Sequence, residues 1–264
     1  MSETLHGDIS HHSSTRSTST YNIATPNIST PLKNNLLSAL SSVEYDRLFP
    51  FLESVKLALD DVIYESGNKQ LYVYFPVDAI IALSYVMTSG ASAEISLVGK
   101  EGLVGVALFM GGESMVNRAV VKSAGYAYRI KGSDFMKEFN LHGNFLSLML
   151  RYTQALITQM SQTAVCNRYH TIDQQLCRLL LLSLDRLPDN NIAMTQELIA
   201  NLLGVRREGV TEAAGKLHKL GVINYHRGHI TVLDRQQLET LSCECYRLVK
   251  KETDRLLPNI STGR

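Results

Sequence analysis

The feature that most constrains the fold is a stretch near residue 200 in which glycines separate short apolar helices. Thr195 can cap the helix QELIANLL, because its hydroxyl can accept a hydrogen bond from a free amide of the first turn. Gly204 then permits the left-handed backbone of a tight turn. A second helix is predicted from about Arg206 to Leu220, and it stops at Gly221. Two short helices joined by such a turn form a helix-turn-helix.

The apolar positions of these two helices decide which side chains face outward. The first helix buries Leu198, Ile199, Leu202 and Leu203, and the second buries Val210, Ala213, Ala214 and Leu217. The second set has the spacing of one helix face, and its alanines allow a close approach. The opposite side carries Glu208, Glu212, Gly215 and Lys219, with Arg207 and Thr211 on its flank. Arg206 falls nearer the packed side, which suits a phosphate or an intramolecular partner.

Arg207 and Glu208 stand together near the start of the second helix, the part that enters the major groove of DNA in a helix-turn-helix. An arginine can donate two hydrogen bonds to guanine O6 and N7, and a carboxylate can accept one from cytosine N4. The pair is therefore chemically suited to contact bases. The acid also weakens non-specific attraction to the DNA backbone.

A hairpin is predicted directly after the two helices, in the segment VINYHRGHITVL. Arg227 and Gly228 can form its two-residue turn. The apolar residues that pair across it are Ile223 with Val232 and Tyr225 with Ile230. Arg227 at the tip can contact a phosphate, whereas His226 and His229 are either solvated hairpin residues or DNA contacts. We expect the last helix, RQQLETLSCECYRLVKKE, to pack back on this module.

Upstream, short β-branched and aromatic runs alternate with Gly, Pro, Asp and Asn, which predicts an antiparallel all-β unit. The runs lie in VIYESG, LYVYFPVDAIIALSYVM, AEISLVG and AGYAYRI, and they end near residue 130. A long helix follows in NFLSLMLRYTQALITQMSQTAV. Its apolar residues recur every three or four positions: Phe145, Met149, Tyr152, Leu156 and Met160. We interpret this stripe as a parallel seam with a second copy of the chain; an internal core helix is the alternative.

Composition limits the classes of function. The chain has 264 residues, 45% of them hydrophobic, and a net charge of +1, so contact with nucleic acid requires a local basic patch. No apolar run approaches the roughly 18 residues of a membrane span, and the first residues lack the apolar core of a secretory signal. We expect a soluble protein of the reducing cytoplasm.

The four cysteines are Cys166, Cys177, Cys243 and Cys245. They have neither the density of a disulfide scaffold nor a CxxC metal spacing, so we interpret them as packing residues and expect no metal site and no cofactor. The segment 1–30 is rich in Ser, Thr and Asn, which predicts a disordered tail. No catalytic Ser/His/Asp order and no phosphate loop is evident, since GKEGLVG lacks a GK[ST] ending; the sequence does not indicate an enzyme.

The segment MTQELIANLLGVRREGVTEAAGKLHKLGVINYHRGHITVLDRQQLE resembles the winged-helix DNA-binding domain of the Crp/Fnr transcription regulators. The upstream β-rich part and the long helix are similar to that family's cyclic-nucleotide-binding-like β-roll and dimerisation helix. AVCNRYH and CECYR resemble a subgroup without the effector signature. The resemblance covers residues 32–250.

The resemblance implies an α+β fold with a defined division of the chain. The implied parts are a tail (1–30), a β-roll sensor-like domain (31–140), a dimerisation helix (141–168), a winged-helix domain (169–250) and a C-terminal tail (251–264). It implies a bacterial-type regulator that binds a pseudo-palindromic site in double-stranded DNA as a homodimer and contacts RNA polymerase.

The resemblance also implies roles for single residues. Arg207 and Glu208 occupy the base-contacting positions, and Thr195 and Gln196 match positions that contact the DNA backbone. Glu212 stands where the family often has a basic residue, which leaves the target sequence undefined.

An effector pocket would be formed by the segment that includes Glu101, Gly102, Gly105 and Arg118. Val106 stands where the ribose carboxylate is needed, and Ala119 follows the arginine in place of a hydroxyl residue. A buried ribose hydroxyl without a partner is costly, so we expect no binding of cyclic AMP. The alternative to a DNA-binding regulator is a ligand-responsive module that acts through a protein partner.

Overall fold

The computed structural model describes residues 30–90 and 92–257 of the chain. Residues 1–29, which are all but the last residue of the predicted tail (1–30), and residues 258–264 lie outside this description. The helices are α1 (Asn35–Ser38), α2 (Ser42–Leu48), α3 (Val106–Met110), α4 (Gly132–Phe139), α5 (Asn144–Tyr169), α6 (Ile172–Leu184), α7 (Gln196–Leu203), α8 (Arg207–Lys219), α9 (Arg235–Leu241) and α10 (Glu244–Leu256). The strands are β1 (Glu53–Leu57), β2 (Val62–Tyr64), β3 (Tyr72–Pro76), β4 (Ile80–Val86), β5 (Ser92–Val98), β6 (Arg118–Ser123), β7 (Gly125–Lys131), β8 (Asn191–Ala193), β9 (Ile223–His226) and β10 (His229–Val232).

The N-terminal half is a β-roll of two antiparallel sheets, with strand orders β1-β7-β3 and β2-β6-β4-β5. Alternate side chains of these strands meet between the sheets, as the period-two pattern of the sequence predicts. The helices α4 and α5 close one end, where Phe135 and Phe145 join the same core at a ring separation of 5.0 Å. The predicted mixed fold with antiparallel sheets, a long helix and a C-terminal helix-turn-helix is confirmed.

The helix α5 is 26 residues long, and its main apolar stripe faces the roll. Phe145, Met149, Tyr152 and Leu156 are buried within the protomer, and Met160 packs against the same core. The interpretation of these five residues as a seam between two copies is therefore wrong, and the alternative of a core helix is correct for this face. The open end of the roll exposes apolar side chains, and the strongest apolar stripe of α5 covers them.

The C-terminal segment also differs from the prediction. It forms two helices that are broken at Ser242, and α10 extends to Leu256 where a tail was expected from residue 251. The helix α10 lies antiparallel along α5, since Glu252 contacts Gln154 and Cys245 contacts Gln162. Tyr246 packs in the core of the winged helix, whereas Leu256 reaches the core of the roll. The helix α10 thus contacts both halves and not the winged helix alone.

The winged helix is assembled around α6, in which every side chain from Gln175 to Leu184 is buried. Helices α7, α8 and α9 pack against it. The same core includes Ile80, Ala82 and Leu97, which lie on the outer face of the roll. The two halves therefore share an apolar interface. Within residues 30–90 and 92–257, no helix combines the length and hydropathy that crossing a bilayer requires.

Arg186 lies at the junction of these parts and is 5% exposed. Its guanidinium donates to the carbonyl oxygen of Leu182 at 2.5 Å and to that of Leu97 at 3.0 Å. The same group contacts Gln159 Oε1 at 3.2 Å and pairs with Glu101 Oε1 at 2.7 Å. One side chain at the end of α6 thus joins α6, β5, α5 and the loop after β5.

Replacing Arg186 with Met should lower the free energy of unfolding by about 2–4 kcal/mol, because it leaves the Glu101 carboxylate without its cationic partner and the Leu182 carbonyl oxygen without the Arg186 donor. The Leu97 carbonyl oxygen still accepts from Gln159 Nε2. Urea unfolding of the full chain measures this. Lys137→Ala removes an exposed pair with Asp134 on α4 and should change stability by less than about 0.5 kcal/mol. Equal effects of the two substitutions would contradict the assigned role.

A second ionisable group is buried at the same interface. Glu94 on β5 lines a cleft between the roll and α7, together with Leu198, Asn201 and Leu202. Burial raises the pKa of Glu94 to about 8, although Arg178, Arg186 and Lys122 act in the opposite direction. The folded protein therefore holds a proton on Glu94 that the unfolded chain loses near its ordinary value of 4.5.

This shift predicts a pH dependence of stability. The contribution of protonated Glu94 is complete below about pH 4.5 and is lost as the pH rises toward 8, since only the unfolded state then ionises freely. Glu94→Gln should remove this dependence, so that the stability difference between variant and wild type grows by more than about 1 kcal/mol from pH 5 to pH 8.5. Thermal unfolding across that range measures it. A constant difference would contradict the burial of an ionisable proton here.

Candidate nucleic-acid interface

The helix-turn-helix forms as its sequence predicts. The Thr195 hydroxyl caps α7 by accepting from the amide of Leu198 at 3.1 Å. Gly204 adopts a φ of 66°, which is the left-handed conformation that the tight turn requires. The helix α8 begins at Arg207, with Arg206 in extended conformation as its N-cap. The predicted turn and both helix starts are confirmed.

The packing of α8 fixes which of its residues face outward. Val210, Ala213, Ala214 and Leu217 are buried. A Cβ atom on Gly209 would lie 2.7 Å from Ile172 Cδ1, so glycine allows α8 to approach α6 at this point. The same helical phase leaves Arg207, Glu208 and Thr211 exposed.

The hairpin is also confirmed, in the predicted register: Ile223 pairs with Val232, and Tyr225 pairs with Ile230. Arg227 and Gly228 have φ angles of 46° and 83°, as a two-residue turn of type I′ requires. A third strand, β8, pairs with β10 and was not predicted. It has only three residues, which is too short for a recognisable alternation.

The wing, α7 and α8 meet in one exposed surface, the interface surface, which consists of Thr195, Gln196, Arg207, Thr211 and Arg227. The Thr211 hydroxyl donates to Gln196 Oε1 at 2.7 Å, so the starts of α7 and α8 are in direct contact. A Cβ atom on Gly228 would lie 3.2 Å from Thr195 Cγ2, so the wing tip stands beside the cap of α7. Side chains from three elements therefore lie side by side.

The charges of this region differ in their partners. Arg206, Arg207 and Arg227 are exposed, and among the described residues none of them has an ion-pair partner. Glu208 is exposed as well. Such cations remain available to a polyanion. Arg206 and Arg207 lie at the N-terminal end of α8, where the helix dipole also favours negative charge, and Arg227 lies at the wing tip.

Glu212 has a different environment, although the sequence groups it with these residues. Its carboxylate lies 3.0 Å from Lys216 Nζ, which is also 3.1 Å from Asp173. Hydrogen bonds to Glu212 and Asp173 raise the pKa of Lys216. Glu212 is thus held in a solvated charge network one turn beyond Glu208.

The predicted effector residues are not brought together. Glu101 pairs with Arg186, and a Cβ on Gly102 would lie 2.5 Å from the Tyr152 ring. Arg118 pairs with Glu65 at 3.0 Å and lines a different cleft from Glu101. Glu101, Gly102, Gly105 and Arg118 therefore do not form the expected pocket. Glu101 instead holds the two halves together through Arg186, and Gly105 begins α3 with a φ of 124°.

The structure brings together a second group that the sequence reasoning missed. Cys166, His170, Cys243 and Cys245 have donor atoms that all lie within 4.8 Å of one another. A hydrogen bond between the thiols of Cys166 and Cys243 lowers the pKa of Cys243. Cys166 lies in the last turns of α5, and His170 follows that helix four residues later; this short spacing is a signal in the sequence. Their partners Cys243 and Cys245 are too distant in the chain to be found in this way. The described cysteines are all free, and Cys177 lies apart in the core of the winged helix.

Residues 174–241 match the family model of the Crp-like helix-turn-helix domain. This chain carries a Crp-like helix-turn-helix domain. The match spans α6 to α9 and includes the whole interface surface, so the predicted resemblance to Crp/Fnr regulators is confirmed for this part by sequence. No curated protein matches the chain.

Solved structures of Crp/Fnr regulators are similar to the chain beyond this domain. FixK2 from Bradyrhizobium japonicum is similar with a TM-score of 0.62 and 18% identity, over 73% of this chain and 98% of that one. A regulator assigned to the Crp/Fnr family from Eubacterium rectale has a TM-score of 0.60 and 15% identity, over 79% and 98%. TTHB099 from Thermus thermophilus, of the CRP family, has a TM-score of 0.59 and 16% identity, over 71% of this chain and 96% of that one. The roll, long helix and winged helix therefore have the Crp/Fnr fold.

Proposed function

We propose that the protein is a sequence-specific transcription regulator that binds double-stranded DNA as a homodimer. The observation that carries this proposal is the position of Arg207: it is exposed at the first residue of α8, beside Glu208 and without an ion-pair partner among the described residues. In a helix-turn-helix this end of the second helix enters the major groove. Arg207 is then placed to donate to guanine O6 and N7, and Glu208 to accept from cytosine N4.

The other residues of the interface surface are suited to position the protein on the DNA backbone. Thr195 and Gln196 stand at the N-terminus of α7, where free amides and the helix dipole favour a phosphate. Arg227 at the wing tip and Arg206 before α8 supply further cations. Glu212, held by Lys216, is the least suited of the predicted DNA contacts to reach a base.

The surface of α5 that suits contact with a second copy of the chain is its exposed face. Leu150, Ile157 and Ala164 are exposed and recur every seven residues, on the side of the helix that faces away from the roll. The two large side chains are 53% and 54% exposed, which is unusual for leucine and isoleucine in the middle of a helix. A seven-residue apolar repeat is typical of a two-helix seam. This stripe replaces the buried one that the sequence analysis favoured.

The β-roll is not suited to bind cyclic AMP. Val106 is buried at the position expected to hold a ribose carboxylate, and Arg118 is occupied by Glu65, which supports a sensor domain that does not bind cyclic AMP. RNA polymerase is the partner expected of a transcription regulator of this fold. The cytoplasm is the compartment that a DNA partner implies.

Arg207→Ala should weaken binding to the cognate DNA by about 1–3 kcal/mol, or roughly fivefold to 150-fold, and should relax base preference at one position of each half-site. Arg227→Ala should instead weaken binding to all sequences alike and lower the salt slope by about one per protomer. Fluorescence anisotropy at several salt concentrations measures both. Lys137→Ala, on α4 and far from the interface surface in the sequence, is the matched control for loss of an exposed cation. An unchanged affinity and base preference in Arg207→Ala would remove α8 from the interface, and absent binding by wild type would favour a protein partner.

Ile157→Asp should convert the dimer to a monomer, because two carboxylates would face each other across the seam. Light scattering after size-exclusion chromatography should then give a mass near 29.4 kDa in place of twice that value. Val43→Asp is the control and should leave the dimer intact, since Val43 is an apolar residue on α2 that is 62% exposed. A dimer that survives Ile157→Asp, or a wild type that is monomeric at micromolar concentration, would contradict this seam.

A further inference from the structure

The cluster of Cys166, His170, Cys243 and Cys245, the Cys/His cluster, lies where three elements meet. Cys166 is in the last turns of α5, and His170 immediately follows that helix. Cys243 is the N-cap of α10, and Cys245 is in its first turn. The cluster therefore joins the end of the long helix to the point at which α9 gives way to α10.

Two of the separations between donor atoms match those of a tetrahedral metal centre. The Sγ atoms of Cys166 and Cys243 are 3.6 Å apart, and Cys245 Sγ is 3.4 Å from His170 Nδ1. Bonds of about 2.3 Å from zinc to sulfur and about 2.0 Å to nitrogen place two sulfurs about 3.8 Å apart, and sulfur and nitrogen about 3.5 Å apart. All four donor atoms lie within 4.8 Å of one another, so one ion at their centre can contact all of them.

The surroundings of the donors are those of a metal site. His170 Nε2 lies 3.3 Å from the Glu244 carboxylate, which can hold the proton on that nitrogen and leave Nδ1 free to bind. Ligand histidines usually donate their second ring nitrogen to a carboxylate in this way. Gln162 Nε2 donates to Cys245 Sγ at 3.1 Å, which stabilises a thiolate.

The donor set and its burial narrow the kind of ion. Cys166, Cys243 and Cys245 are 0%, 3% and 0% exposed, so the protein supplies four donors and leaves no open position for substrate. Three thiolates and one imidazole in tetrahedral arrangement are typical of structural zinc. A cluster of several irons would hold some of its ligands further apart than these four donor atoms, because the ligands bind different irons.

We propose that Cys166, His170, Cys243 and Cys245 bind one zinc ion in each protomer and thereby clamp α10 to the end of α5. On binding, the three thiols become thiolates and release their protons to solvent, while His170 binds in its neutral form. The clamp fixes the helix that contacts both the roll and the winged helix. It concerns neither the interface surface nor the dimer seam, so it can stand or fall separately from the proposed function.

Metal analysis of the full-length protein, purified without an affinity tag and under reducing conditions, tests this proposal. Wild type should contain one equivalent of zinc per protomer after gel filtration. Cys243→Ser/Cys245→Ser should lose that equivalent. Cys177→Ser should keep it, since Cys177 is also buried but lies outside the cluster. Histidines in the segment 1–29 are present in every variant, so zinc held by them would not differ between variants.

Cobalt(II) binding by the wild-type protein tests the proposal even if the cysteine variants fail to fold. Wild-type protein stripped of metal should take up one equivalent of cobalt(II), with the visible bands of a tetrahedral site and the near-ultraviolet bands of thiolate ligands. His170→Asn should change the visible bands, and zinc should displace the cobalt. Wild type that contains no zinc and takes up no cobalt would overturn the proposal, as would a Cys166–Cys243 disulfide in the reduced preparation, an iron–sulfur spectrum, or equal zinc loss in Cys177→Ser.

Discussion

Arg186 connects the two halves of the protein through a buried guanidinium. It is 5% exposed, yet it donates to a carbonyl of β5, a carbonyl of α6, the side-chain oxygen Oε1 of Gln159 on α5 and the carboxylate of Glu101. A buried cation is tolerated only where such partners surround it. The position of α6 against the roll follows from this network together with the apolar contacts of Ile80, Ala82 and Leu97. Because α8 packs on α6, the orientation of the proposed recognition helix depends on the same contacts.

The helix α5 contributes to several interfaces with different faces. One face closes the roll through Phe145, Met149 and Tyr152, and another receives α10 through Gln154 and Gln162. The remaining face exposes Leu150 and Ile157. When a helix has three apolar or partly apolar faces, its strongest apolar stripe does not show which face contacts a second copy. For this reason the helix was predicted correctly and its dimer seam incorrectly.

Some sequence signals in this chain are local. Thr195, Gly204 and the turn at Arg227-Gly228 act through their own backbone conformations, and the structure has each of them where it was predicted. Two other sites depend on residues far apart in the chain. Glu101 is engaged by Arg186, which removes it from the expected effector pocket, and Cys166 meets Cys243 only because α10 folds back along α5. Spacing along the sequence does not predict such long-range contacts.

The central claim is that two copies of α8, held by the α5 seam, contact DNA in two successive major grooves. Selection of bound sequences from a random DNA library by the wild-type protein tests this claim most directly. The account predicts an inverted repeat whose half-sites are centred about one helical turn apart, or roughly 10 base pairs. Enrichment of a single asymmetric site, or no enrichment above a non-specific background at moderate salt, would contradict it.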